Sequence, residues 1–206
     1  MKTLSAHAAG DVASDLQDYR PLFPFATLKA VGHPVFRSQE ARDYACLLDL
    51  DRDVVSWQPF TYQIADDVGQ RRLRHHVDFV VQTMTERLMV EVCTGDDEAS
   101  EWLENVLAMA GYRYQLVRFS NLNPVRLHNA RDLVRYARYE AMLGDRIRVL
   151  AALDEMGTLT LTECLTTVCE GRAMETIASL ILRGHLDVDI DENLLGPDTV
   201  VRPRAK

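Results

Sequence analysis

Lysine is nearly missing from this chain of 206 residues: it occurs only at Lys2, Lys29 and Lys206, and the other members of a basic set of 23 are arginines. Between Lys29 and Lys206, therefore, no compact ammonium group is available to chemistry, and every permanent cation there is a guanidinium. A guanidinium grips phosphate or carboxylate bidentately but stays protonated, and the base composition of a genome also produces such a bias. Long apolar runs are missing too. None approaches the roughly 20 residues that a membrane span needs. The N-terminal stretch holds one lysine and no apolar segment, which does not read as a signal peptide and sets a cytoplasmic location as the expectation. There is no CxxC pair. Cys46, Cys93, Cys164 and Cys169 are widely spread and lack histidines at zinc spacing, so reduced, mostly buried thiols are expected. A net charge of −8 argues against a general polyanion binder.

What is present is the composition of an ordinary globular protein, 47% hydrophobic and 26% charged, long enough for one large domain or two small ones. Pro21, Pro24 and Pro34 interrupt an N-terminal arm, residues 1–35. Ser38 is placed to cap a helix whose apolar stripe is Ala41, Tyr44, Ala45, Leu47 and Leu48. Strand signals follow at 54–58, 60–64, 73–82 and 88–92, with a hairpin-like turn at Asp66–Gln70. A helix is predicted over 96–110, stopped by Gly111, and a further strand over 112–119. Helix, three antiparallel-looking strands, a buried strand, helix and strand make a mixed α/β layer with a helix on each side.

After Pro124 the pattern turns helical. Helices are predicted over 129–143 and 145–155, divided by Gly144, then a short one capped by Thr162 and another over 172–183. An alternating strand, 185–190, pairs with Thr199–Val201. Short helices, a last helix and a β-hairpin are the order of a winged helix. The expected division is thus an arm at 1–35, an α/β domain at 36–124 and a small helical, winged-helix-like domain at 125–206.

Three carboxylates carry the chemical signal. Asp78 lies inside an apolar strand, Glu91 at the centre of the next, and Glu40 on the preceding helix. A charged carboxylate among Val and Phe costs several kcal/mol unless partnered, and two on adjacent strands repel unless a cation or an arginine stands between them. Magnesium, which takes hard oxygen ligands and keeps waters for chemistry, answers that need. Taken singly, Glu40 reads as a surface acid, Asp78 as a turn cap or a partner of Arg74, and Glu91 as a partner of Arg72 or Arg118.

The order Glu40, Asp78, Glu91-Val92-Cys93 resembles the PD-(D/E)XK nuclease pattern. The flanking text, Ser38-x-Glu40 with Tyr44, Val54-Val55-Ser56-Trp57-Gln58-Pro59-Phe60, His75-His76-Val77-Asp78-Phe79-Val80 and Leu88-Met89-Val90-Glu91-Val92, looks like the catalytic domain of the TnsA endonuclease of heteromeric transposons, over about residues 36–120. Leu153-Asp154-Glu155 and Leu182-Arg183-Gly184-His185-Leu186 look like that family's winged-helix C-terminal region. The resemblance implies a restriction-endonuclease-like mixed sheet flanked by helices. It further implies magnesium- or manganese-dependent DNA cleavage alongside a transposase-like or regulatory protein partner. Glu40, Asp78 and Glu91 would hold the metal with help from the Val92 carbonyl.

The departure is at Cys93, where the family carries its lysine. A thiol supplies no positive charge beside the attacking water, and loss of one such donor costs about 100- to 1000-fold. Arg72, Arg74, Arg87, His75 and His76 are the candidate stand-ins. Two outcomes follow, a DNA- or partner-binding module with weak or lost cleavage, or a nuclease with a helper other than lysine. For DNA contact the basic candidates are Arg71, Arg72 and Arg74, and Arg131, Arg135 and Arg138, whose spacing predicts one helix face. The last predicted helix offers few cations, and the acidic wing Asp187, Asp189, Asp191 and Glu192 suits phosphate poorly, which favours a protein-docking adaptor role for that domain.

Overall fold

A computed structural model describes residues 26–60, 63–68, 71–95 and 98–204. Most of the expected arm, together with Gly69-Gln70 of the expected hairpin-like turn, lies outside the described residues. Two compact units emerge, one built on Lys29–Asn121 and one on Leu122–Lys206.

The first unit opens with helix α1, Gln39–Leu50, and the predicted cap is in place: Ser38 is extended, and its Oγ accepts the Ala41 N–H at 3.0 Å. Strands β1 (Val54–Pro59), β2 (Gln63–Val68), β3 (Arg71–His76), β4 (Phe79–Thr83) and β5 (Arg87–Cys93) follow, then helix α2 (Glu101–Met109) and strand β6 (Arg113–Arg118). A mixed sheet runs β1-β4-β5-β6, antiparallel up to β5 and parallel between β5 and β6, with α2 as the crossover. Because β5 is fully inside the sheet, it is apolar on both faces, and only Glu91 interrupts it. One face meets α1 through Phe36, Tyr44, Trp57 and Phe79, with Trp57 edge-on to Phe79 at 5.6 Å. The other face meets α2 through Met89, Leu103 and Leu107. Gly111, at φ 82, ends α2 as its sequence position suggested.

The stretch expected to form one strand at 73–82 is two strands in two sheets. β3 pairs with β2 in a separate hairpin, Gln63 opposite His76, whereas β4 pairs with β1 and β5. The switch falls at Val77-Asp78, which puts Asp78 at the mouth of β4 and outside the hairpin.

In the second unit α3 spans Pro124–Val134, capped by Asn123 Oδ1 on the Val125 and Arg126 amides. It begins five residues earlier than the expected helix at 129 and ends well before 143. The backbone tightens there into i→i+3 bonds, Tyr136 to Leu133 and Ala137 to Val134. Helix α4 (Leu143–Met156) runs through Gly144, not after it. The next helix, α5 (Leu161–Thr166), is capped by Thr160 instead of Thr162, in a reciprocal capping box with Glu163. Helix α6 (Ala173–Leu182) precedes the final strands. β7 (Leu159–Thr160), β8 (Leu186–Val188) and β9 (Val200–Pro203) form an antiparallel sheet in the order β7-β9-β8. Val149, Leu153, Cys164, Ile177 and Leu180 make its core. Among the described residues no helix is long and apolar enough to cross a membrane. Cys46, Cys93 and Cys164 are buried thiols, and Cys169 is exposed.

One carboxylate organises this unit. Asp145, with no exposed surface, accepts the amides of Cys169 at 2.8 Å and Gly171 at 2.6 Å and the guanidinium of Arg148 at 2.6 Å, with Glu170 at 3.1 Å. Burial alone would raise its pKa. The Arg148 charge and the three amides outweigh burial and hold it below the ordinary carboxylate range. A depressed folded-state pKa contributes stability that is fully present above the unfolded value, near 3.8, and lost as the pH falls below it. Wild-type protein should therefore show a melting temperature that declines as the pH falls from about 5 to 2. Asp145→Asn should melt lower than wild type at pH 7, with a flatter decline in acid. Parallel acid profiles for the two proteins in calorimetry would show that Asp145 does not bear this load.

Candidate functional site

The switch from hairpin to sheet brings the two strand acids side by side. The β4–β5 ladder ends with Phe79 opposite Val90, and just beyond it the Asp78 amide bonds the Val90 carbonyl at 2.8 Å while its carboxylate meets the Val92 amide, so Asp78 sits beside the strand that carries Glu91. Their side chains have different partners. Asp78, 1% exposed in its side chain, is bound bidentately by Arg37, Nε to Oδ1 and Nη2 to Oδ2, each at 3.0 Å. Its Oδ2 also accepts the Val92 N–H at 2.8 Å. Arg37 stands one residue before the cap of α1, so this fork ties the entry of the helix to the centre of the sheet.

Glu91, 12% exposed in its side chain, collects two partners on one oxygen: Tyr114 donates its hydroxyl to Oε2 at 2.5 Å, and His75 Nε2 lies 2.5 Å from the same atom. Tyr114 comes from β6 and His75 from the hairpin, so Glu91 joins three strands. Burial, followed by the hydrogen bond and charge of Glu91, pushes the Tyr114 phenol well above its ordinary range. It remains a donor at any working pH.

The partner of Asp78 is not the one expected: Arg37 and the Val92 amide bind its carboxylate, and Arg74 is an exposed residue of β3. Arg87 is spent elsewhere, its guanidinium stacked 4.2 Å over the Tyr112 ring and bonded to its hydroxyl. Of the candidate stand-ins, His75 reaches Glu91. Arg37 and Tyr114 went unnoticed, because their contacts join segments far apart in the chain and leave no local pattern.

Glu40 lies in the first turn of α1, half-buried. Among the described residues no three His, Cys, Asp or Glu side chains gather as a metal-binding group, Glu40, Asp78 and Glu91 included. A divalent ion at Asp78 would have to displace Arg37, whose charge already stands against both carboxylate oxygens. Cys93, buried at the end of β5, turns its thiol toward the Gly95 carbonyl at 3.7 Å.

Arg71 and Arg72 belong to β3, and Arg74 is exposed on the same strand. Arg131, Arg135 and Arg138 do not share a helix face: α3 stops at Val134, Arg135 is its C-cap and pairs with Asp132 at 3.0 Å, and Arg138 lies beyond, in the tightened turn. Helix α6 has little free surface. Thr176 through Leu180 are all buried, and Ser179 donates to the Tyr139 carbonyl at 2.7 Å. Of the expected acidic wing, Asp191 is paired with Arg126 at 2.9 Å and Asp189 accepts its own loop amide at 2.8 Å.

Removing Arg37 leaves a buried charge without its counter-ion. Arg37→Ala should cost about 3 kcal/mol in urea unfolding, whereas Arg37→Met combined with Asp78→Leu should recover most of that loss. A single mutant within about 0.5 kcal/mol of wild type, as surface changes are, would show the pair to be incidental. No protein-family model matches this chain, and no curated protein matches it.

Proposed function

We propose that the chain is a DNA-binding protein built on a TnsA-type endonuclease fold in which cleavage is weak or lost. One observation supports the reading: Asp78, at the mouth of β4, is bonded to the Val90 carbonyl and Val92 amide on either side of Glu91, in a sheet whose order of helix, three antiparallel strands, crossover helix and parallel strand suits a restriction-endonuclease-like fold. Two features then argue against efficient catalysis. Cys93 places a neutral thiol where that family carries its lysine, and Arg37 neutralises the acid that would otherwise attract magnesium or manganese. The β7-β9-β8 sheet behind α4, α5 and α6 supports a winged-helix-like second domain. Because α6 is covered along most of its length, that domain is not read as inserting its last helix into a major groove.

On this reading the exposed arginines, Arg74 foremost, contribute phosphate contacts. Wild-type protein should retard duplex DNA in a shift assay whose affinity falls steeply between 50 and 200 mM salt, as counter-ion release demands. It should leave supercoiled plasmid intact with either magnesium or manganese, and Cys93→Lys combined with Arg37→Met, which frees Asp78, should raise nicking by about 100-fold over that background. Nicking by wild type that disappears in Asp78→Ala or Glu91→Ala would instead establish an active metal-dependent endonuclease, a protein that works beside a transposase-like partner. Absence of any salt-sensitive DNA binding would leave the protein-docking adaptor as the better account.

A further inference from the structure

Within the second unit a cleft of about 520 Å³ opens at the C-terminal end of α6, lined by Ala141, Leu180, Glu140, Arg146, Arg183 and His185. Arg204 adds a third guanidinium. Its Nη1 donates to the Gly184 carbonyl at 3.2 Å, and its amide to the His185 carbonyl at 3.4 Å. Gly184, at φ 69, leaves the room: a Cβ there would run into the Arg204 guanidinium. These cations come from three separate segments, α4, the end of α6 and the end of β9.

Their partners set them apart. Arg126, Arg135, Arg148 and Arg172 each stand within 3.4 Å of a carboxylate. Among the described residues the Arg146 guanidinium has no hydrogen-bond or ion-pair partner, and the Arg204 guanidinium has no carboxylate partner. The nearest acid to Arg183 is the largely exposed Glu140, at 3.7 Å. Three guanidinium charges thus face one loosely held carboxylate, in a chain that is otherwise acidic. Burial, and then the charges of Arg146, Arg183 and Arg204, hold His185 below the ordinary imidazole range, so it stays neutral and can donate or accept.

Guanidinium groups in excess of the carboxylates beside them, two lining the cleft and Arg204 next to its His185 wall, suit a tetrahedral polyanion better than a single planar carboxylate. The apolar wall of Ala141 and Leu180 suits a ligand with a non-charged body attached to that anion. We infer that this cleft binds a phosphate-bearing ligand, either a free nucleotide or the phosphodiester of a nucleic-acid strand, through Arg146, Arg183 and Arg204. The inference rests on the second unit alone and does not depend on the nuclease-type reading of the first.

The full-length protein is to be titrated by calorimetry and by NMR of the His185 ring with a mononucleotide, a 12-nucleotide single strand, a duplex of equal length and poly-glutamate. At least one phosphate probe should bind, shift the His185 resonances and lose about tenfold in affinity in Arg146→Gln, with a comparable loss in Arg204→Gln. Arg146 is exposed and unpaired, so its replacement leaves the fold intact, as circular dichroism will verify. Binding led by the mononucleotide identifies a nucleotide site, and binding only by the strands identifies a phosphodiester site. Three results overturn the inference: no phosphate probe binds, DNA binds with no change in Arg146→Gln and Arg204→Gln, or poly-glutamate competes equally for the same residues. DNA binding that fails in Arg74→Gln but not in the cleft variants sinks this site and leaves the proposed DNA-binding function standing.

Discussion

A carboxylate with 1% of its side chain exposed cannot stay charged in a protein interior unless its charge is answered on the spot, and Arg37 answers that of Asp78. The fork is more than a local pair. It fixes the residue that leads into α1, holds the link where the chain leaves the β2–β3 hairpin for the central sheet, and, through the Val92 amide on the same carboxylate, reaches β5. Glu91 does the complementary task one strand away, with donors from β3 and β6. The two acids therefore serve as struts between segments that are far apart in the chain. That structural duty and a metal-binding duty compete for the same lone pairs, which is why the proposed loss of cleavage and the observed packing are two sides of one arrangement.

The second unit repeats the device with different parts. Asp145 is fully enclosed, and it gathers three consecutive amides of the loop at 169–171 together with Arg148. A loop with no regular structure is thereby held against α4 by charge-assisted bonds, each stronger than its neutral counterpart. In both units the irregular connection, not the helix or strand, is what the buried acid secures.

Much of this was legible in the sequence wherever the determinant is local. Ser38 announced its helix, the uninterrupted apolar run around Glu91 announced a central strand, and Gly111 announced a stop. What periodicity does not encode is the identity of a strand's neighbour. Residues 73–82 hold no proline or glycine and carry Val77, Phe79 and Val81 on one face, yet one half pairs with β2 and the other with β1 and β5. The same limit hid Arg37, whose partner is 41 residues away, where the local sequence points to Arg74 as the partner of Asp78. The run of Arg131, Arg135 and Arg138 failed for another reason. Helical spacing is meaningful only while the helix lasts, and the i→i+3 bonds after Val134 end it with no proline or glycine to signal the change.

Cys169 combines two properties that the other thiols lack together. It is the exposed one among four cysteines, and its own amide is a strand of the net around Asp145. A maleimide dye would thus attach to native protein at one address without protection of Cys46, Cys93 or Cys164. Its emission would track the opening of that loop in real time, while the rest of the molecule remained unlabelled and undisturbed.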